Sequence, residues 1–119
     1  MTTDQIIKQF TADYKAAQSG DRILEWDKCG IRVELHVADK NRVYELEVDD
    51  QSVIDVSLGS WDEAPDERFY FKATLDRFHY FSDTDEESIE QDIELTAEQR
   101  KEVLSWLEYD IYELRKEDQ

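Results

Sequence analysis

The chain has 119 residues, and its 31 Asp and Glu outnumber 14 Lys and Arg, which gives a net charge of −17. This length suits a single domain over residues 1–119, and three Trp, six Tyr and five Phe supply apolar surface for a core. A surface this acidic is repelled by nucleic acid and by anionic lipid, which argues against direct binding to DNA, RNA or a membrane.

Apolar spacing predicts a helix at each end of the chain. Residues 3–19 and 96–115 both repeat apolar side chains every three or four positions. Each range begins with a threonine that is followed three residues later by glutamine, the pattern of a capping box. The two boxes are Thr2 with Gln5 and Thr96 with Gln99.

Between the helices the apolar period changes to two, which predicts β-strands. The segments with this alternation are 23–27, 31–37, 43–48, 53–58, 69–75 and 78–81. Short polar connections predict that neighbouring strands pair antiparallel. The expected fold class is α+β: an antiparallel β-meander of four to six strands, with an N-terminal and a C-terminal helix packed on one face.

The strand register predicts a row of carboxylates across the outer face of this sheet. If Val37 pairs with Tyr44, Glu34 lies opposite Glu47, and the next hairpin adds Asp55 to the same row. Because like charges on neighbouring strands repel, such a row favours binding over stability. The alternatives are a register shifted by two residues, or neutralisation of the row by the basic side chains that flank Glu34.

The acidic residues are concentrated in one part of the chain. Residues 60–98 hold 13 acidic and 3 basic residues, a net charge of −10, and 83–98 hold eight carboxylates with no Lys or Arg. We expect such an array to bind a cationic partner, although a charged run of this kind is also typical of a solvated surface or a disordered loop. The expected contact residues, in order of preference, are Asp83, Asp85, Glu86, Glu87, Glu90, Asp92 and Glu94, then Asp62, Glu63, Asp66 and Glu67, then Glu34, Glu47 and Asp55. Trp61, Tyr70 and Tyr80 are expected to stack on arginine side chains of the partner.

No residue pattern predicts catalysis, a cofactor or a specific metal site. Cys29 has only His36 and His79 as candidate bases, and three isolated glycines cannot form a phosphate-binding loop. The EF-hand loop positions 1, 3, 5 and 12 are matched by Asp83, Asp85, Glu87 and Glu94. Position 6 of that loop requires glycine but is Ser88, so we expect no specific calcium site. Since none of these patterns supplies a catalytic group, we also expect no enzyme activity.

Cysteine content and the first residues bear on the cellular compartment. Cys29 is the one cysteine, so the chain cannot form an internal disulfide, which favours a reducing compartment. The first residues lack the basic region and apolar core of a signal peptide, and no stretch approaches the length of a membrane span. We therefore expect a cytoplasmic protein.

In size, acidity and α+β layout, the whole chain resembles the small acidic bacterial DNA-mimic proteins, among them the neisserial type that binds the histone-like protein HU. The resemblance rests on no shared motif, so it transfers no functional residue. It implies that the chain occupies the DNA-binding surface of a basic protein and blocks its DNA binding. We expect the chain to be a monomer.

A second class of protein fits the same features. Immunity proteins of bacterial toxins are small, acidic and poor in cysteine, and they bind basic nuclease toxins with strong electrostatic steering. A secretion chaperone is a third alternative, although the pattern shows no exposed apolar groove. The two leading classes share one expectation, a basic protein partner with no direct contact to nucleic acid.

Overall fold

The computed structural model describes residues 2–17, 21–28, 30–57, 66–86 and 88–117. The helices in these ranges are α1 (Thr3–Ala16) and α2 (Ala97–Glu117). The strands are β1 (Arg22–Asp27), β2 (Gly30–Val37), β3 (Arg42–Asp50), β4 (Val53–Ser57), β5 (Asp66–Tyr70), β6 (Ala73–Asp83) and β7 (Ser88–Asp92). Neither of these helices is long and apolar enough to cross a membrane.

The strands form two antiparallel sheets. The larger sheet has the order β1-β2-β3-β6-β7, and β4 pairs with β5 in a separate two-stranded sheet. The α+β class with an antiparallel sheet and two terminal helices is therefore confirmed. The expected pairing of β3 with β4 is wrong, since the second neighbour of β3 is β6.

Both predicted capping boxes are present. At α1 the backbone N–H of Gln5 donates to the Thr2 hydroxyl at 3.2 Å, and the Gln5 side chain accepts from Thr2 N–H at 2.8 Å. The same two bonds join Thr96 and Gln99 ahead of α2. α1 ends earlier than predicted because Ala17 has an extended backbone, with φ −64° and ψ 137°.

Both helices pack on one face of the larger sheet and bury a single core. Its residues are Ile6, Ile7, Phe10, Tyr14, Ile31, Val33, Leu35, Tyr44, Leu46, Val48, Leu75, Phe78, Tyr80, Ile93, Val103, Leu104, Leu107 and Ile111. Phe10 lies at the centre of this core, and its ring centroid is 5.2 Å from that of Tyr44 and 5.3 Å from that of Phe78. Edge-to-face contacts of this kind add to the stabilisation from apolar burial.

A β-bulge keeps β6 in register with this core. Glu47 pairs with Arg77 and Val48 pairs with Leu75, which leaves Asp76 as an extra residue. In a regular strand, residues three positions apart face opposite sides. The bulge instead directs both Leu75 and Phe78 into the core.

The predicted strand 69–75 is interrupted where the chain passes from the small sheet to the large one. The backbone N–H of Lys72 donates to the hydroxyl of buried Ser52 at 2.8 Å, and Gln51 N–H donates to the Lys72 carbonyl at 2.8 Å. These bonds replace ladder hydrogen bonds at residues 71–72, so β5 and β6 are separate strands.

Candidate interaction surface

The face of the larger sheet opposite the helices is the candidate interaction surface, because neither helix packs on it. Its side chains alternate with the core residues along each strand. We name the following set the open face: Glu25, Arg32, Glu34, His36, Val43, Glu45, Glu47, Arg77, His79, Phe81, Glu90 and Asp92. Six carboxylates and two guanidinium groups leave it with a net charge of −4 when both imidazoles are neutral.

The predicted carboxylate row is wrong in its register. Glu34 lies opposite Glu45, and Glu47 lies opposite Arg32, two residues away from the expected pairing. The cause is the β2–β3 connection, a 3-10 turn at 38–40 followed by Asn41 with φ 50°, which pairs Val37 with the residue directly after Asn41.

Asp55 does not join this row either. It lies in β4 opposite Arg68 of β5, and therefore belongs to the small sheet.

Basic side chains neutralise the carboxylates at the centre of the open face. Glu34 accepts hydrogen bonds from Arg32 and from His36 Nε2, the latter at 3.0 Å. The hydrogen bond from His36, supported by Arg32, holds the pKa of Glu34 below its usual range despite partial burial. The flanking basic residues thus favour the charged form of this carboxylate and fix its position.

A second set of ion pairs links β3, β6 and β7. Asp92 contacts His79 Nδ1 at 2.7 Å and Arg77 Nε at 3.0 Å. Both hydrogen bonds lower the pKa of Asp92, and the one with His79 has the larger effect. Arg77 also lies 3.5 Å from Glu47, and His79 lies 3.5 Å from Glu90. The open face is therefore a lattice of alternating charge rather than a uniform acidic row.

A group of exposed carboxylates without an ion pair lies at one end of the sheet. We name Asp39, Asp83, Asp85 and Glu86 the acidic end; all four are exposed, and none pairs with a basic residue in the described ranges. A hydrogen bond from Asp83 N–H to the Asn41 carbonyl, 2.9 Å, holds the β2–β3 connection beside the β6–β7 hairpin. The acidic end therefore continues the open face beyond Phe81 and Glu90.

The predicted contact residues fall into three groups in the structure. Those on the open face or at the acidic end are Glu34, Glu47, Asp83, Asp85, Glu86, Glu90 and Asp92. Those elsewhere are Glu94, which is exposed after β7, and Asp55, Asp66 and Glu67 in the small sheet. Asp62, Glu63 and Glu87 lie outside the described residues.

Sequence reasoning missed several residues of this surface. Glu25 and Glu45 were absent from the predicted set, although both occupy outward positions in the period-two pattern. The prediction of Tyr80 as an exposed aromatic is wrong, because it is 2 % exposed and its hydroxyl accepts a hydrogen bond from Gln9 at 2.8 Å. The next residue, Phe81, faces outward instead.

Of the other two predicted stacking aromatics, the structure describes only Tyr70. Tyr70 is exposed but belongs to the small sheet, and Trp61 lies outside the described residues.

The EF-hand match does not form a calcium loop. Residues Ser88–Asp92 are an extended strand paired with β6, whereas an EF-hand loop wraps its ligands around the ion. Within the described ranges, no group of three or more His, Cys, Asp or Glu side chains is placed to hold a metal ion.

Comparisons with protein-family models, with curated proteins and with solved structures found no match. The function of the open face is therefore inferred from its own charge, geometry and exposure.

Proposed function

We propose that this protein is a DNA mimic that occupies the DNA-binding surface of a basic protein, such as a histone-like protein, and blocks its DNA binding. The observation that carries the proposal is the net negative charge of the surface formed by the open face, where acidic and basic side chains are interleaved, and the acidic end, where the carboxylates are unpaired. A surface of this charge competes with DNA for the same lysines and arginines.

The geometry of the sheet supports this proposal. Neighbouring strands lie about 4.8 Å apart, and outward side chains on one strand recur about every 7 Å. The open face therefore holds charges at spacings of a few ångströms, on a rigid scaffold that costs little entropy to bind. The ion pairs from Arg32 and Arg77 reduce the net charge but also fix the carboxylates they contact.

The acidic end supplies the strongest attraction for a cationic partner. Its carboxylates are exposed and are not neutralised by a described basic side chain. Unpaired charges on the rim of an interface steer association and raise the rate of encounter. We therefore assign initial contact with the partner to the acidic end and the bound state to the open face.

Displacement of DNA tests the proposal directly. The protein is titrated into a complex of a histone-like protein with a fluorescein-labelled duplex, and DNA release is followed by fluorescence anisotropy. We expect release at low salt and a steep loss of competition as salt rises. If the wild-type protein releases no DNA at low salt, the proposal is wrong.

A pair of matched variants locates the competing surface. The test variant neutralises the hairpin part of the acidic end with Asp83→Asn, Asp85→Asn and Glu86→Gln. The control variant makes the same change in net charge on exposed positions of α2 with Glu98→Gln, Glu102→Gln and Glu108→Gln. We expect the test variant to compete roughly tenfold more weakly and the control to match the wild type. Equal weakening would mean that only total charge matters.

A second candidate function, inhibition of a basic nuclease toxin as an immunity protein, is favoured by one observation. In the small sheet Val53, Val56 and Tyr70 are each more than half exposed. Apolar residues of this kind form the buried centre of tight, salt-tolerant interfaces. Binding to one nuclease that persists at high salt and is lost in Val53→Ser with Tyr70→Ser would favour this function over DNA mimicry.

Both functions are proposed for a monomer in the cytoplasm. In that compartment the acidic surface meets chromosomal proteins and newly made nucleases, and the single cysteine faces no oxidising environment. Light scattering measures the molar mass in solution and tests whether the chain is a monomer. The measurement is made at low and at high salt, because repulsion between like-charged copies of the chain is strongest at low salt and is screened at high salt.

A further inference from the structure

A shallow cavity of about 320 Å³ opens where the open face meets the acidic end. His36, Val43, Phe81 and Asp83 line it, together with residues in and beside the β2–β3 connection: Val37, Ala38, Asn41 and Arg42. It is the place on this surface where an aromatic ring lies among carboxylates.

The strand register explains why the cavity has an apolar floor. Val43 of β3 lies directly opposite Phe81 of β6, and a pair of a β-branched and an aromatic residue packs well across two strands. His36 flanks this pair on β2, and Glu90 flanks it on β7. Phe81 is half-buried and lines the cavity.

The charges around this floor are predominantly negative. Asp83 forms part of the wall, Glu90 pairs with Phe81 across the strands, and Glu45 lies one row further along β3. Among the described residues, Asp83 and Glu45 have no basic partner in ion-pair contact. Glu90 lies 3.5 Å from His79, so Asp83 and Glu45 supply the uncompensated negative charge that attracts a cation above the Phe81 ring.

The basic residues nearest the cavity do not cancel this attraction. Arg42 lines the cavity but donates from Nε and Nη2 to Asp13, both at 2.8 Å. That bidentate pair occupies the guanidinium group and compensates its charge. His36 is likewise hydrogen-bonded to Glu34 at 3.0 Å.

We propose that this cavity receives an arginine side chain of the basic partner, with the guanidinium plane on the Phe81 ring and its N–H groups directed at the surrounding carboxylates. The inference rests on the proposed function, which supplies a basic partner, and specifies how that partner is anchored. Arginine suits the site better than lysine because its guanidinium is planar, weakly hydrated and able to stack on an aromatic face. An ammonium group lacks the planar face and the fork of donors that this floor and rim accommodate.

Two peptides of equal length and charge test the inference. Fluorescein-labelled octa-arginine and octa-lysine are titrated with the full chain at one low salt concentration, and binding is followed by anisotropy. We expect wild-type protein to prefer octa-arginine by roughly threefold to tenfold, which is the range of a cation–π contact at a partly exposed site.

Variants of Phe81 separate stacking on the ring from general electrostatic attraction. Phe81→Leu keeps an apolar floor but removes the ring, and Phe81→Ala removes both. We expect each to lower affinity for octa-arginine to the octa-lysine value and to leave octa-lysine binding unchanged. Tyr109→Leu, which removes an exposed aromatic ring from α2, is the matched control and should keep the preference. Far-ultraviolet circular dichroism checks that each variant is folded.

The outcomes distinguish the inference from the proposed function. Equal binding of the two peptides by wild type, or a preference that survives in Phe81→Leu, overturns the arginine site and leaves DNA displacement as a separate test. Failure of wild-type protein to bind either peptide at low salt contradicts the proposed function, and the arginine site with it.

Discussion

Arg115, in the last turn of α2, donates a hydrogen bond from Nε to Oδ2 of Asp50 at 2.7 Å, and the Asp50 side chain is fully shielded from solvent. A second bond runs from Arg115 Nη2 to the Asp50 carbonyl at 3.1 Å. Asp50 also accepts the backbone N–H of Ser52 at 3.0 Å. This contact fixes the end of α2 to the point where β3 ends and the chain enters the small sheet.

Arg115→Met is expected to destabilise the protein by about 3–5 kcal/mol, because it leaves the buried Asp50 carboxylate without its cation. The free energy of unfolding is measured by urea denaturation. Lys101→Met removes an exposed cation from the same helix and should change stability by less than about 0.5 kcal/mol. Equal stabilities of the two variants would show that the Asp50 contact contributes little.

Two buried tyrosines predict a loss of stability at alkaline pH. Burial, with the neighbouring Asp110, raises the pKa of Tyr14 well above its usual value, and burial with the neighbouring Asp13 does the same for Tyr44. Because these folded-state pKa values are raised, the stabilisation is fully present below the unfolded value of about 10 and is lost as pH rises beyond it.

Urea denaturation at neutral and alkaline pH measures this loss of stability. The double variant Tyr14→Phe with Tyr44→Phe should lose less stability at alkaline pH, since phenylalanine has no proton to lose. The exposed Tyr109→Phe serves as the control and should leave the fall unchanged. An alkaline fall of equal size in the double variant would assign it to charge repulsion across the whole molecule.

Much of the fold could be predicted from the sequence because it depends on local patterns. The capping boxes at Thr2 and Thr96 and the two apolar periods identify both helices and most strands. The pairing of β3 with β6 could not be predicted in this way. It depends on the hydrogen bonds of Ser52 with Lys72, which join residues far apart in the chain. It also depends on the bulge at Asp76, which shifts the strand register locally.

The candidate site was predictable in composition but not in arrangement. Its acidity follows from the count of Asp and Glu alone. The 3-10 turn at 38–40 and the left-handed Asn41 place Glu34 opposite Glu45 rather than Glu47. Asparagine favours the left-handed conformation, but that preference does not fix how many residues the connection contains. The outward direction of Phe81 rather than Tyr80 depends on a different register, the pairing of β6 with β3 beyond the bulge at Asp76.

Gly30 is required at the start of β2. Its φ of +141° is a conformation that residues with a side chain rarely adopt, and an added Cβ would lie 2.1 Å from the Val48 carbonyl oxygen. Gly30→Ala is therefore expected to lower the free energy of unfolding by at least about 1–3 kcal/mol through backbone strain alone. The steric clash with the Val48 carbonyl adds to this loss. Thermal unfolding measures the cost, and Ser88→Ala at an exposed strand position is the control. An unchanged melting temperature would contradict this role of Gly30.

The hydrogen bond from His79 to Asp92 predicts a specific change in titration. Since this bond is the largest cause of the lowered pKa of Asp92, His79→Gln should raise that pKa. The pKa of Glu34, which depends on His36 and Arg32, should stay unchanged in the same variant. Carboxyl chemical shifts followed by NMR from neutral to acidic pH measure both. A rise in both pKa values would indicate a general effect of the lost charge rather than the His79 contact.

Neutralising the β6–β7 hairpin should leave the fold intact and raise its stability at low salt. Asp83, Asp85 and Glu86 form no ion pair with any described residue, so their removal breaks no such contact while lowering the self-repulsion of a chain with net charge −17. We expect the triple change Asp83→Asn, Asp85→Asn and Glu86→Gln to raise the free energy of unfolding by up to about 1 kcal/mol, with the gain disappearing at high salt. Urea denaturation at two salt concentrations measures it.

A triple variant that is less stable than wild type would mean that these carboxylates hold the hairpin together. Weaker DNA displacement by that variant would then reflect a lost structure and not a lost binding surface.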